Sequence, residues 1–460
     1  MRTMVEPSRR VPVIAEVDVA VAGGGPGGLS AAIAAARNGA RTLLIERYGF
    51  LGGMATAGLV APILGHTASH AHLPIVEGLL KELTERMHAL SAAPTWEQAL
   101  QEWGIRFDAE ALKRVADRMV QEANVELLLH TLVTGAVVEN RRISALIIES
   151  KSGRQAVAAK VVIDATGDGD VAYRAGAPTQ QGRDFDGRVM ARGSFLHLGG
   201  LPHLTAEERQ AALGSVQQAM AQGRLHFYNA NFAALNSAHD DHFSPNMTRW
   251  AGDPTDVRDL TQAEVDVRRD AWELIEFLRK EVPGFENCYL QATSPQVGSR
   301  ESRQVLGDYV LTGEDVHRGR KFPDAIARGS WWIDIHCPLG QTYPVHLCVV
   351  ECPRGEDCPF WAARHRQMRS RDQLYPPEGD WYDIPYRCLS AQLIDNLLVS
   401  GRCISATSEA MAGARVMGTC VAIGQAAGTA AMLAVRERVP PREVNVDRLR
   451  ARLRADGALV

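Results

Sequence analysis

The sequence predicts an α/β fold built on a parallel sheet and interrupted by an inserted α+β segment. Three observations lead to this. A short apolar run, Val17 to Ala22, passes through a glycine-rich turn into an Ala-rich stretch and then a second apolar run, Thr42 to Ile45. Short β-rich runs separated by turn residues follow between residues 125 and 167. The alternation then fails over residues 175–385 and resumes with IDNLLVSGRC.

The first stretch, DVAVAGGGPGGLSAAIAAARNGARTLLIE, reads as strand, tight turn, helix and strand. Gly23, Gly25 and Gly28 stand in GxGxxG spacing, with Pro26 and Gly27 between them. The first glycine permits the turn, the second lets backbone approach a pyrophosphate, and the third allows close helix–strand packing. The helix N-terminus adds unpaired N–H groups and a positive dipole end. Glu46 closes the second strand, where a carboxylate bonds ribose hydroxyls and repels a 2′-phosphate. The stretch therefore reads as a Rossmann-like dinucleotide site.

After Glu46, RYGFLGGMATAGLVAPILG is small and Gly-rich and can thread past a flat ligand. Residues 74–92 and 107–124 carry apolar positions at helical spacing, with Asp108 as N-cap of the second. VELLLH, LVTGAVVE, ISALIIES and QAVAAKVVIDATG then read as a strand followed by a β-meander. The last run ends in Asp164-Ala165-Thr166-Gly167-Asp168-Gly169-Asp170, a second Gly turn beyond a strand's carboxyl end, expected beside the first. Residues 1–174 and 386–440 are thus expected to form one discontinuous nucleotide-binding domain, and residues 441–460 a terminal helix and tail. Residues 175–385 are expected to form a substrate domain, with helices near 205–222 and 262–281 and strand-like runs WWIDIHCP and YPVHLCVVE.

A net charge of −4 over 460 residues supplies no basic footprint for nucleic acid or an anionic membrane. No stretch reads as the ~20 apolar residues of a membrane span, and the N-terminus does not read as an export signal. Eight cysteines in such a chain point to reduced thiols and a cytoplasmic protein. The expected partner is a small-molecule substrate, and a homo-oligomer is compatible with the sequence.

Together, GGGPGG with Glu46, LGGMATAG, the meander, DATGDGD and NLLVSGRC with its GQAAG helix resemble the FAD-dependent oxidoreductases of the glutathione-reductase superfamily. More narrowly, VGSRESRQVLGDYVLTGEDV, YDIPYR and SGRCISATSEAMAGARVMGTC resemble a bacterial branch related to fumarate-reductase-type flavoproteins. The resemblance implies FAD as cofactor. It places the pyrophosphate on Gly23, Gly25, Pro26, Gly27 and Gly28, and the adenosine ribose at Glu46 and Arg47. Gly52, Gly53 and Met54 would pass near the flavin, and Ala165, Thr166 and Gly167 would back the adenosine side. Gly401 and Arg402, with Gly418 and Thr419 of the following helix, would reach the ribityl chain and pyrimidine edge. Much of the superfamily has Gly-Asp where this chain has Gly401-Arg402.

Only one dinucleotide fingerprint occurs, so the expected reaction is hydride transfer between a small polar metabolite and flavin N5. A monooxygenase visited by NAD(P)H, or a flavin electron-transfer subunit, are the alternatives. His336, ending WWIDIH, is the first choice of proton carrier, against a core histidine. Arg300 and Arg303 could anchor a carboxylate or form ion pairs with Glu301 or Asp308. Tyr382, Tyr386 and Arg387 line the pocket or pack the hinge. Cys337, Cys348, Cys352 and Cys358 beside His346 lack a CxxC pair, so no metal is expected. His66, His70 and His72 form a polar wall or, less in keeping with the pattern, attach the flavin covalently.

Overall fold

A computed structural model describes residues 3–5, 7–200, 205–225, 244–339, 355–358 and 370–460. The run YPVHLCVVE, residues 226–243, and Cys348, Cys352 and His346 lie outside the described residues.

Strand β1 (Val13–Ala22), helix α1 (Pro26–Arg37) and strand β2 (Thr42–Ile45) form the expected unit, with β1 and β2 parallel and Val21 opposite Leu44. Strands β3 (Glu126–Leu128), β4 (Leu132–Glu139), β5 (Arg142–Ser150) and β6 (Gly153–Asp164) complete the order β3-β2-β1-β6-β5-β4. The pairs β3-β2, β2-β1 and β1-β6 are parallel, whereas β6-β5 and β5-β4 are antiparallel and make the meander. β6 is 12 residues long, and the meander covers only its first half along one edge. Its last three residues pair on that edge with a strand from far down the chain.

The inserted segment carries short two-stranded pairings: β7 (Thr179–Gln181), β8 (Leu196–Gly199), β9 (Tyr289–Thr293), β10 (Arg303–Val305), β11 (Ala325–Gly329) and β12 (Tyr382–Pro385). They join as β7-β10, β8-β9 and β11-β12. Helix Ala206–Ala221 falls within the expected 205–222, and helix Val257–Glu281 begins five residues before the expected 262, capped by Asp256. A separate apolar cluster forms between residues 196 and 288, from Leu196, Val216, Leu274, Leu278 and Phe285 among others. Val305, Leu311, Ile326, Ile333, Tyr382 and Ile384, by contrast, join the core of the main sheet. The second hydrophobic unit is thus smaller than residues 175–385, because β11 packs on the main sheet's covering helix and brings its neighbours into that core.

β13 (Leu397–Val399) returns the chain to the sheet, parallel to β6 with Val399 opposite Asp164. The helix Met417–Glu437 then packs along α1. By length and apolar composition this helix could cross a membrane, contrary to the sequence reading; 89% of its apolar window is buried in the protein. Its small residues explain the depth. A Cβ on Gly424 would stand 2.1 Å from the Gly27 carbonyl oxygen, and one on Gly428 2.0 Å from that of Ala31. The two backbones touch, and the helix serves as core rather than span.

Replacing Gly428 by Val should push these helices apart and cost about 3 kcal/mol or more, read as a lowered denaturation midpoint. Gly214→Ala, at an exposed position of the helix Ala206–Ala221 where an added Cβ meets nothing, should instead hold or raise the midpoint. Equal midpoints for both variants would contradict the contact.

Candidate active site

Three turns, following β1, β6 and β13, meet at one end of the sheet and line a cavity of about 980 Å³, including its open mouth. They can meet because side chains are missing where backbones cross. Gly23 has φ +99°, and a Cβ there would lie 2.4 Å from the Ala165 carbonyl oxygen; one on Gly28 would lie 1.8 Å from that of Gly23. Gly401 also has positive φ (+78°), with open space where its Cβ would be. The first turn of α1 carries no side-chain cap and no acidic residue, so its N–H groups and dipole face the cavity.

Glu46 is buried at the rim, its carboxylate receiving N–H groups from Gly24 (2.6 Å) and Tyr48 (2.9 Å). Each oxygen retains accepting capacity toward the cavity it lines. The second turn is built by Asp164, which accepts from Thr166 N (3.1 Å), Thr166 Oγ1 (2.7 Å) and Ala172 N (2.9 Å). Burial pushes the Asp164 carboxyl up to about 6, against those hydrogen bonds.

Gly23, Gly25, Pro26, Gly27, Glu46 and Arg47 line the cavity, as do Gly53, Met54, Ala165, Thr166 and Gly167 with Gly401 and Arg402. Gly28, Gly52, Gly418 and Thr419 lie behind it as packing positions; a Cβ on Gly418 would meet the Leu64 carbonyl at 2.6 Å. Asp168, Gln296, Arg415 and Thr131 to Val133 also line it and were not singled out in the sequence. Arg402 Nη2 pairs with Asp168 Oδ1 at 3.1 Å, while its buried Nη1 has no partner. An uncapped helix end, glycine faces open to the cavity and an unpartnered guanidinium nitrogen fit a pyrophosphate and the acceptor-rich edge of a flavin.

A second cavity, of about 1170 Å³ including open solvent, shares Met54, Arg402, Arg415 and Met417 with the first. His336 and Arg300 line it together with Asp334, Arg249 and Asn246. His336 Nε2 lies 3.4 Å from Asp334 Oδ1, and Arg415 Nη2 lies 3.2 Å from Asp334 Oδ2. Burial, with Arg300 and Arg249 adding to it, pulls His336 down to about 3 against the opposing pull of Asp334, so the imidazole is neutral at pH 7. The Asp334 carboxyl stays ionised beside the Arg415 and Arg300 guanidiniums.

WWIDIH is not a strand. The strand, β11, ends at Gly329; Asp334 N bonds Trp332 O and Ile333 N bonds Leu374 O, so residues 331–335 form no ladder and only His336 makes an isolated bridge. Arg303 and Tyr382 are absent from both cavities. Arg303 pairs with Asp170 (3.0 Å) and lies over the Tyr173 ring. Tyr382 is fully buried against Gly329 and Gly413, its hydroxyl without a partner. Tyr386 donates to Pro441 O and Arg387 pairs with Asp324, both packing roles. His66 is buried with Nε2 on Ala99 O, and none of His66, His70 and His72 lines either cavity. Cys337 and Cys358 are buried, and the described residues contain no group of three metal-ligating side chains.

The family model described as FAD dependent oxidoreductase matches residues 18–453. No curated protein matches the sequence. Among solved structures, the chain is similar to a geranylgeranyl bacteriochlorophyll reductase-like protein from Thermoplasma acidophilum, at 12% identity over 96% of this chain and 84% of that one, TM-score 0.42. It is also similar to THI4 from Thermovibrio ammonificans (22% identity, 37% and 67% coverage, TM-score 0.27). A third likeness is to the OxyS anhydrotetracycline hydroxylase from Streptomyces rimosus (15%, 64% and 54%, TM-score 0.35).

A Cβ at Gly25 would meet only the Gly53 Cα, at 3.7 Å, and its φ of −69° suits any residue. Gly25→Val should therefore fold normally and fail to retain FAD, as measured by flavin absorbance against protein concentration. Full flavin content in that variant would displace the pyrophosphate from this turn.

Proposed function

The chain belongs to the family of FAD dependent oxidoreductases, and on that footing we propose that it moves a hydride between a small polar organic metabolite and flavin N5. His336 is proposed as the proton carrier and Arg300 as the group that positions the substrate. The observation that carries this is the junction of the two cavities. The dinucleotide cradle shares Met54, Arg402, Arg415 and Met417 with a space lined by a neutral, half-buried imidazole.

FAD held in the cradle supplies two-electron chemistry at N5. The protein's own part is to orient the substrate and move a proton. Asp334 keeps an N–H on the His336 Nε2 that faces it, which leaves the Nδ1 lone pair to take a proton from the substrate. Arg415, bonded to both the backbone oxygen and the carboxylate of Asp334, fixes that carboxylate in place. Val60, Pro62, Leu64 and Phe195 form an apolar wall that limits water around the reacting atoms.

Placement in the glutathione-reductase superfamily, near fumarate-reductase-type flavoproteins, is supported by the spacing of the three turns and Glu46. A cytoplasmic setting is supported by the buried thiols of the six described cysteines. A small-molecule partner, with neither nucleic acid nor membrane, is supported by the net charge of −4.

Anaerobic mixing of the flavin-loaded protein with alcohols, amines, acids and sugars should bleach the flavin with at least one class. Bleaching by none would overturn hydride transfer from a metabolite. With a bleaching substrate found, His336→Asn should slow flavin reduction about 100-fold or more while flavin stays bound. Because the folded-state pKa of His336 lies at about 3, the proton-accepting form persists on acidification. kcat/KM should then show no loss through this group between pH ~8 and pH ~5; a fall centred near pH ~6.5 would mark an ordinary exposed histidine.

A further inference from the structure

We propose that the second cavity receives an aromatic carboxylic acid, its carboxylate on the arginine side and its ring on a tryptophan wall at the mouth. This rests on reading that cavity as the substrate site.

The charge around the cavity is lopsided. Arg249, Arg300, Arg402 and Arg415 line it, with Asp334 the single carboxylate among the described lining residues; Arg402 also pairs with Asp168, Arg249 donates to Asn246 Oδ1 and Arg300 to Ala191 O, each using part of its donor set. Cations withdrawn from water are stabilised only when anions or acceptors meet them. Arg415 is the most telling: its side chain is 14% exposed, Nη2 holds Asp334, and its buried Nε has no partner. A guanidinium is the planar donor a carboxylate matches. His336, neutral beside it, does not compete for the anion. Asp334 lies in the same cavity and lowers the positive excess, which suits a monoanion better than a phosphate dianion.

The same lining also carries apolar and aromatic residues. Trp103 is 63% exposed although it lines the cavity, and Trp331 lines it too, their ring centroids 6.5 Å apart. The aromatic surface continues from Trp331 through Trp332 to the stacked ring of Tyr375. Val60, Pro62, Leu64 and Phe195 extend it inward. A large ring left exposed at a cavity mouth is a face a planar ligand can cover.

The test is anaerobic titration of the FAD-loaded protein with benzoate, benzamide, acetate and phenyl phosphate, following the flavin absorption band. Benzoate should perturb the band and bind about tenfold or more tighter than uncharged benzamide or ring-free acetate. Arg300→Gln should weaken benzoate about tenfold with flavin content unchanged, and Arg300→Lys should recover part of the loss. Trp103→Ala, an exposed change with little leverage on folding, should weaken benzoate and leave acetate as it was. Benzamide matching benzoate, phenyl phosphate exceeding it, or indifference to both Arg300→Gln and Trp103→Ala would overturn the proposal. Bleaching by a neutral metabolite, unaffected by Arg300→Gln, would overturn it and leave hydride transfer standing. Benzoate binding in a protein that no metabolite bleaches would instead retain the anion site and remove hydride transfer.

Discussion

Everything in this molecule depends on one backbone contact, the turn after β1 pressed against the turn after β6. Gly23 and Gly28 are there because any Cβ would collide with the carbonyls of Ala165 and Gly23. Their absence of side chains sets the spacing of the two turns and points the first turn of α1 at the space between them. The same economy recurs on the far face of α1, where Gly424 and Gly428 let the helix Met417–Glu437 lie directly on it. A helix buried on both sides by such contacts has little freedom to tilt, so its N–H groups stay aimed at one spot.

The charge arrangement at the inner end follows from which turn carries the acid. In the resembled pattern an aspartate follows the glycine of the third turn; here that position is Arg402, and the acid, Asp168, stands on the second turn facing it. The ion pair therefore closes across the cradle rather than within one turn. Ser302 supports Asp168 with a 2.7 Å hydrogen bond, and a Cβ on Gly167 would strike Arg402 Nη2 at 2.7 Å. The inserted segment thus braces the cradle through Ser302, and the cradle shares Arg402 and Arg415 with the cavity beyond.

Short-range chemistry made much of this legible in the sequence. The glycine spacing and Glu46 fall within one strand–helix–strand unit, Glu46 accepting from Gly24 N only 22 residues away, and the Asp108 cap accepts from Ala111 N at 2.8 Å. What could not be read depends on partners remote in the chain. Arg303 was indistinguishable from Arg300 by type and spacing; only the approach of Asp170 takes it away from the cavity. Tyr382 looked like a pocket residue until β11 and Gly413 enclosed it. WWIDIH has strand-forming composition, yet Leu374 claims the Ile333 amide and the Asp334 amide turns back on Trp332. The apolar run at Met417–Glu437 is ambiguous for the same reason, since its burial is conferred by α1, some 390 residues earlier. Arg415 and Asp334, which shape the second cavity, sit 81 residues apart and carry no local signal of their pairing.

The third turn of the cradle arrives late. Gly23 and Gly401 face one cavity although 378 positions separate them, and the helix that clamps α1 follows Gly401. The first strand–helix–strand unit therefore supplies one side of the cradle only, and the other two sides come from the turns after β6 and β13.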